Sequence, residues 1–281
     1  SLKIRWRRQK SPWFNLYNKN SNYFYVSLMR IYSNKLTGLI LCVVVSLTCS
    51  DTKHADFTLA KFRYDKKDYD QYIIARNTGY HRLTGYHVVD STFGIVVVPG
   101  YYPKGWTAKG LEWADPLREL TSFQVPIWLY RYNWNQCPEQ AVDRFHKSMT
   151  SFQINNPHLD SLWLIGHSYG GLIVALLAEN WDKDLPLTIH AIAAGMARTS
   201  RSDKLCGFSK PSGYVIANNV RFTQWRTIHA QDGAFRALEV DPQITNLYGG
   251  QVQQLPENWG ELRLGHNLSI KWVCKKLYNN L

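Results

Sequence analysis

The stretch LWLIGHSYGGLIVALL, residues 162–177, changes its hydrophobic pattern in the middle. Its first half is a continuous apolar run typical of a buried β-strand, and its second half has the apolar spacing of a helix. Ser168 falls on the tight turn that joins the two. Gly166 and Gly170 remove the Cβ atoms that would collide where the strand and the helix approach each other. The stretch therefore predicts a G-x-S-x-G nucleophile elbow, a turn that lifts a serine hydroxyl clear of a sheet.

The chain on either side alternates short apolar runs with longer helical stretches. Continuous, β-branched runs suit strands that are buried on both faces, and strand–helix alternation favours a mainly parallel, doubly wound α/β sheet. Residues 65–92 are expected to add one or two antiparallel edge strands, at 72–75 and 86–90. The predicted strands are 93–99, 125–132, 162–166, 189–195 and 222–229, and the predicted helices are about 106–121, 138–153, 170–181 and 268–279.

The positive charge is concentrated at the N-terminus. The formal net charge is +12, and residues 1–53 hold nine of the 33 basic residues and one of the 21 acidic residues. That leaves 24 basic and 20 acidic residues, a net charge of +4, for residues 54–281. A phosphate-binding surface on the main body is not expected, so nucleic acid is not an expected partner.

The apolar segment LTGLILCVVVSLT, residues 36–48, is 13 residues long. This is shorter than the roughly 20 residues that span a bilayer. It follows Arg30 and Lys35 and leads to small residues, which is the pattern of a secretory signal peptide over 29–50. We expect the natural chain to start at Met29, with residues before it as an upstream extension. An uncleaved anchor in contact with a membrane, or a buried core element, is the alternative.

The rest of the chain, residues 56–281, shows no linker or repeat and is expected to be one domain after an N-terminal extension of residues 1–55. The expected localisation is secreted or exported. Export would leave Cys137, Cys206 and Cys274, an odd number without the spacing of a metal site. One disulfide and one free thiol fit this set, but the sequence does not determine the pairing.

A serine needs a general base to become nucleophilic near neutral pH, and nine histidines compete for the role. His266 lies in a Gly-His loop just before the last predicted helix, from which its imidazole can reach the carboxyl edge of the sheet. His229 ends a predicted strand and is the alternative. His167, beside Ser168 on the elbow, is expected to point away from the serine hydroxyl.

The imidazole in turn needs a carboxylate that orients it and stabilises its cation. Asp232 follows the predicted strand at 222–229 in a short QDG turn. Asp203 and Asp241 are the other candidates, and an ordinary Asp-Gly turn is the structural alternative for Asp232.

Two backbone amides are candidates for stabilising an oxyanion. The amide of Tyr169 follows Ser168 at the start of the predicted helix, where the helix dipole adds a favourable field. The amide of Tyr101 follows Gly100 at the end of the strand at 93–99, whereas Pro99 has no N–H to donate. A plain strand-ending Pro-Gly turn is the alternative for this second loop.

Over about residues 90–281 the chain resembles the α/β-hydrolase fold superfamily, in particular its lipases and esterases. The motifs that carry the resemblance are VVVPGYY (96–102), LIGHSYGG (164–171), IHAQDGAF (228–235) and LGHNLS (264–269). Their order along the chain matches the Ser…Asp…His order of that family. The resemblance implies Ser168 as nucleophile, Asp232 as acid and His266 as base, with oxyanion amides from Tyr101 and Tyr169.

The implied activity is cleavage of carboxylic esters or thioesters, of lipids or other acyl compounds, through an acyl-serine intermediate. No cofactor and no metal is expected, because no His, Cys or Asp cluster has ligand spacing. A polar insert at about 197–220 predicts a short lid. The alternatives are a non-catalytic binding module on the same scaffold and a membrane-surface protein that works through its basic N-terminus.

Overall fold

An eight-stranded β-sheet runs through the centre of the described chain. The computed structural model describes residues 57–61, 71–102, 112–197, 206–210 and 212–279. The strands in these ranges are β1 (Phe57–Thr58), β2 (Gly79–Thr84), β3 (Phe93–Val98), β4 (Ile127–Arg131), β5 (Ser161–His167), β6 (Leu187–Ile192), β7 (Tyr214–Val215), β8 (Val220–Arg226), β9 (Leu247–Tyr248), β10 (Gln251–Gln254), β11 (Asn258–Trp259) and β12 (Leu262–Arg263). The helices there are α1 (Gln71–Ile74), α2 (Ala114–Thr121), α3 (Pro138–Asn155), α4 (Tyr169–Glu179) and α5 (Leu268–Asn279).

The strand order in the sheet is β1-β2-β4-β3-β5-β6-β8-β10. The pair β2 and β4 is antiparallel, and all other neighbouring pairs in this sheet are parallel. The chain moves outward from β3 to β4, returns to β5 on the other side of β3, and then continues outward to β10. This confirms the predicted mainly parallel, doubly wound sheet. The order reverses between β3 and β5, and such a switch point opens a crevice at the carboxyl ends of the strands.

Each face of the sheet has its own hydrophobic core. Strand β3 contributes to both, because Val96 and Val98 pack into one cluster while Ile95 and Val97 pack into the other. The first cluster includes the buried residues of α3 and α4, and the second includes those of α2 and α5. Two buried faces explain why these strands are continuous apolar runs in the sequence.

The five predicted central strands and the last three predicted helices are confirmed, with ends that differ by a few residues. The predicted edge strands at 72–75 and 86–90 are wrong. Residues 71–74 form α1, which buries Ile73, and residues 86–90 are irregular. The antiparallel strand of this region is β2, which lies between the two predicted positions and pairs with β1 on one side and β4 on the other. It is bounded by glycines with positive φ, 127° at Gly79 and 82° at Gly85.

The structure resolves the pairing that the sequence left open. Cys137 and Cys206 form a disulfide with Cα atoms 5.6 Å apart, and Cys274 is a buried free thiol. The disulfide joins the start of α3 to the predicted lid.

Residues 55–281 form one compact unit. The predicted extension at 1–55, including the signal peptide or anchor at 29–50, lies outside the described residues, as do positions 198–205 and 211 of the predicted lid. In the described ranges, no helix is long and apolar enough to cross a bilayer.

Candidate active site

Ser168 is the single residue between β5 and α4, and it lies at the carboxyl edge of the sheet. Its φ is 52° and its ψ is −118°, a conformation that is strained for a residue with a side chain. Such strain costs about 1–3 kcal/mol and persists only where the surroundings impose it. The predicted strand–turn–helix geometry around this serine is therefore present.

Glycines make this close approach feasible. A Cβ at Gly170 would lie 2.2 Å from the carbonyl oxygen of Val98 and 2.3 Å from that of Pro99. A Cβ at Gly166 would lie 2.6 Å from the carbonyl oxygen of Gly170. The first turn of α4 thus packs directly against the ends of β3 and β5, and no larger residue fits at these two positions.

The loop after β3 lies against the serine, as the switch point requires. A Cβ at Gly100 would be 3.0 Å from the Cβ of Ser168. The hydroxyl of Tyr132 donates to the carbonyl oxygen of Pro99 at 3.1 Å, which fixes the loop from the side of β4. The structure therefore places Tyr101 one residue beyond the contact with Ser168.

Tyr169, the residue after the serine, is the first residue of α4. Its side chain is buried, and its hydroxyl donates to the carbonyl oxygen of Gln136 at 2.7 Å. Gln136 precedes Cys137, so the same short segment is tied to α4 by a hydrogen bond and to the predicted lid by the disulfide.

Asp232 and His266 form a hydrogen-bonded pair. The Nδ1 atom of His266 lies 2.9 Å from Oδ2 of Asp232, and the aspartate is fully buried. The other partners of the carboxylate are the hydroxyl of Thr227 and the backbone amides of Ala234 and Phe235, which donate to it. Since every partner is a donor, the site is built for an ionised carboxylate.

The pKa of Asp232 reflects these contacts. Burial on its own would raise the pKa, but the hydrogen bond from His266, the charge of His266, the hydroxyl of Thr227 and the amide of Ala234 all lower it. The net result is a pKa below the ordinary value for an aspartate. Because an ionised carboxylate can only accept, the Nδ1–H of His266 donates to it, and Nε2 is the ring nitrogen that does not bond to Asp232.

The imidazole of His266 is held between two other rings. Its centroid is 4.7 Å from that of His167 and 5.0 Å from that of Phe235. The carbonyl oxygen of His266 also accepts hydrogen bonds from Nε2 of His167, at 3.1 Å, and from the hydroxyl of Ser269. The base is therefore fixed through both its ring and its backbone.

His167 makes a contact with His266 that the sequence did not reveal. It is fully buried, and burial, together with the charge of His266, lowers its pKa well below the ordinary value for a histidine. It is therefore neutral, and its Nε2 proton points at the carbonyl oxygen of His266. The elbow thus touches the histidine loop directly, across 99 positions of sequence.

The other sequence candidates are directed elsewhere. His229 bonds through Nε2 to the carbonyl oxygen of Phe235, and Asp241 accepts hydrogen bonds from Gln243. Asp203 lies outside the described residues. Of these candidates in the described ranges, only Asp232 meets His266.

The hydroxyl of Ser168 forms no hydrogen bond to His266 within the described part of the chain. Both residues lie at the same edge of the sheet, and His167 connects them. It is the sequence neighbour of Ser168, and its side chain contacts His266. Catalytic hydrogen bonds are often long before a substrate binds and tighten in the complex.

Glu112 is a second carboxylate beside this site, and no local motif in the sequence marks it. It lies two residues before the start of α2 and is 9% exposed. It accepts a hydrogen bond from Nδ2 of Asn267 at 2.8 Å. Asn267 is the neighbour of His266. A separation of 155 residues hid this contact from any local pattern.

A cleft of about 590 Å³ lies elsewhere on the surface, between α3, α4 and the described part of the predicted lid. Its walls include Val142, Leu176 and Phe208 but none of the three predicted catalytic residues. As for metals, the described residues contain no group of three or more His, Cys, Asp or Glu side chains arranged to hold an ion.

Three features together define one fold class. The sheet is doubly wound in this order with an antiparallel second strand, a serine lies on a positive-φ turn after the fifth strand, and an Asp–His pair follows later strands. The protein has the α/β-hydrolase fold. The resemblance that was found in the sequence is confirmed at this level.

No protein-family model matches the sequence, and no curated protein matches it. Among solved structures, an α/β serine hydrolase homologue from Coxiella burnetii is 13% identical, with a TM-score of 0.44, over 72% of this chain and 89% of that chain. A lipase-esterase related protein from Clostridium acetobutylicum is 12% identical, with a TM-score of 0.45, over 72% and 99%. Est1E from Butyrivibrio proteoclasticus is 10% identical, with a TM-score of 0.44, over 66% and 87%. At these identities the similarity concerns the fold alone.

Proposed function

We propose that the protein is a serine hydrolase that cleaves carboxylic esters or thioesters through an acyl-Ser168 intermediate. The observation that carries this proposal is the 2.9 Å pair of buried Asp232 and His266 at the edge of the sheet where Ser168 lies, half-buried, on its strained turn. A buried aspartate supplied only with donors, next to an imidazole, has the polarity that a general base requires.

In the proposed reaction, Nε2 of His266 takes the proton of the Ser168 hydroxyl while the oxygen attacks the carbonyl carbon of the substrate. Asp232 stabilises the imidazolium that forms, and the amides of Tyr101 and Tyr169 stabilise the oxyanion. The tetrahedral intermediate collapses, and the imidazolium gives its proton to the departing alcohol or thiol. Water then attacks the acyl-serine by the same route, releasing the acid and restoring Ser168.

Lipid or other acyl esters are the proposed substrate class. Support comes from exposed apolar side chains on the segment that follows the acid, at Val240 and Ile244, and from Phe235 beside the base. The described part of the insert, at 206–210 and 212–220, holds only the two-residue strand β7 and the start of β8 as strand structure. A short insert of this kind suits a long or bulky ester better than a small enclosed substrate.

The test is hydrolysis of p-nitrophenyl butyrate, p-nitrophenyl palmitate and a matched acyl thioester by the full chain and by Ser168→Ala. We expect Ser168→Ala to lose at least roughly 10³-fold in kcat, because the acyl-enzyme cannot form. A fluorophosphonate probe should label the wild-type chain and not this variant. Ser151→Ala, an exposed serine on α3, is the matched control and should keep both activity and labelling.

A non-catalytic binding module on the same fold is the competing function. It predicts that a folded wild-type sample shows neither turnover nor labelling, and that result would refute the hydrolase proposal. Preference for the palmitoyl over the butyroyl ester would support the lipid assignment, and the reverse preference would refute it.

We also propose that the protein is exported. The Cys137–Cys206 disulfide supports this, because such bonds persist in oxidising compartments and are rare in the cytosol. Expression of the full chain with alkylation of free thiols tests the idea. Recovery of the protein with this pair oxidised outside the cell supports export, and recovery of reduced protein inside the cell contradicts it.

A further inference from the structure

Glu112 is a buried carboxylate that the proposed mechanism does not use. It accepts its hydrogen bond from the side chain of Asn267, the residue that follows His266. Three residues further along, Asp115 forms an ion pair of 2.9 Å with Lys271 of α5. The segment 112–115 is therefore joined to the histidine loop and to α5 by two separate polar contacts.

Glu112 contacts the residue next to His266, and its charge interacts with that of His266. Burial is the largest influence and raises the pKa of Glu112 above its ordinary value, although the charge of His266 and the hydrogen bond from Asn267 act in the opposite direction. A carboxylate that is largely withdrawn from water acts on a nearby cation more strongly than an exposed one does. Above its own pKa, Glu112 thus favours the protonated form of His266.

The charged and titratable groups around His266 come from three directions. Asp232 bonds to Nδ1, His167 contacts the ring from the elbow, and Glu112, in the segment before α2, contacts the neighbouring residue Asn267. His167 is neutral because of its burial. The two carboxylates are therefore the charges that respond when His266 takes a proton.

We propose that Glu112 is a positioning residue for the base, which holds the His266 loop through Asn267 and stabilises the imidazolium that forms as the ester is attacked. This inference rests on the proposed function. It assigns Glu112 a role through His266 and no contact with the substrate. The site would then stabilise one imidazolium with two carboxylates, one bonded to its ring and one near it.

The test is Glu112→Gln in the full chain. Glutamine keeps an oxygen that can accept from Asn267 but removes the charge. We expect the plateau of kcat/KM to fall about threefold to tenfold, and the acid limb of its pH profile to move to lower pH by roughly half to one unit. Glu112→Asp, which keeps the charge, should return the acid limb towards the wild-type position.

Glu261→Gln is the matched control, because Glu261 is an exposed glutamate on the turn between β11 and β12. It should leave both the plateau and the acid limb unchanged. A loss of activity in Glu112→Gln without movement of the acid limb would show a purely structural role and overturn the proposal.

A second measurement separates this proposal from the hydrolase proposal. The titration midpoint of the His266 imidazole can be followed by NMR in the free protein, with His266→Gln to assign the signal. If the protein has no turnover, the proposed function fails. A midpoint that still moves to lower pH in Glu112→Gln shows that Glu112 acts on His266, and an unchanged midpoint shows that it does not.

Discussion

The two arms of the candidate site are built in opposite ways. The serine arm, residues 166–170, is a continuous piece of chain whose shape comes from glycines pressed against the ends of β3 and β5. The histidine arm, residues 265–267, takes its position from contacts with Asp232, His167 and Glu112, each from a different part of the sequence.

The difference concerns what each arm can tolerate. The serine arm is limited by volume, since an added methyl group meets backbone atoms that cannot move independently. The histidine arm is limited by polar partners, since its backbone and ring are held by hydrogen bonds at both ends. A larger side chain at a glycine of the serine arm should therefore damage the fold. Removal of a hydrogen-bond partner from the histidine arm should instead damage catalysis in a protein that still folds.

The largest effect is expected on the histidine arm, from Asp232→Asn. The amide cannot stabilise the imidazolium and favours the wrong tautomer of His266, so kcat should fall by roughly 10⁴-fold. Asp241→Asn, at another carboxylate of the described segment after β8, should leave kcat within about twofold of wild type. Steady-state ester hydrolysis measures both.

Circular dichroism should show that Asp232→Asn is folded, since its carbonyl oxygen can still accept from the amides of Ala234 and Phe235. If Asp241→Asn proved the more damaging of the two, the acid would have been assigned to the wrong residue.

The next effect belongs to the serine arm, from Gly170→Ala. The new methyl group would meet the carbonyl oxygens of Val98 and Pro99 at 2.2 and 2.3 Å, so the start of α4 must move away from β3. We expect the free energy of unfolding to fall by about 3–5 kcal/mol, and labelling by a fluorophosphonate to be lost. Urea denaturation measures the first quantity.

Gly233→Ala is the matched control beside the acid, because a Cβ there has nothing within 4 Å. Its free energy of unfolding should stay within about 0.5 kcal/mol of wild type. Equal losses in the two variants would mean that volume is no more critical at the elbow than on the other arm.

The smallest effect is on the acid stability of the sheet beside the serine arm. His190 lies on β6 opposite Ile165 of β5, and burial lowers its pKa to about 4. Its folded pKa is below the ordinary value of about 6.5, so the unfolded chain binds the proton more tightly between these pH values. Stability should therefore fall by about 1.4 kcal/mol per pH unit as the pH drops from about 6.5 to about 4.

The variant His190→Gln removes this titration while keeping an oxygen that can accept from Nε1 of Trp225. Urea denaturation at several pH values should show a shallower dependence between pH 4 and 6.5 for the variant, by roughly 3 kcal/mol in total. Parallel curves for the two proteins would show that His190 does not titrate on unfolding.

The sequence predicted the serine arm well, because everything that shapes it lies within a few residues. The local signals are the apolar period, the glycine spacing and the serine itself. The continuous apolar strands likewise indicate a sheet with two buried faces. The Asp232–His266 pair was also accessible, through strand ends and chain order. These are the parts of the molecule where neighbours in sequence are neighbours in space.

The rest depended on distant contacts or on weak patterns. Strand β10, QVQQ, is an exposed polar edge strand and has no apolar signal. The prediction of a strand at 72–75 failed because the apolar pair in YIIA buries one side of a short helix instead. The roles of His167 and Glu112 beside His266 join residues 99 and 155 positions apart, and no periodicity encodes such pairs.

The disulfide also places one member of the candidate triad inside a covalently closed ring of chain and leaves the other two outside it. Cys137 and Cys206, 69 positions apart, close a ring of chain that contains Ser168 but neither Asp232 nor His266. A protease that cuts once inside the ring leaves both fragments attached to one another. A single cut between 207 and 231 instead separates the serine from its acid and its base, leaving only non-covalent packing to keep them together. For an exported protein, the segment between the ring and Asp232 is thus where one cut divides the triad.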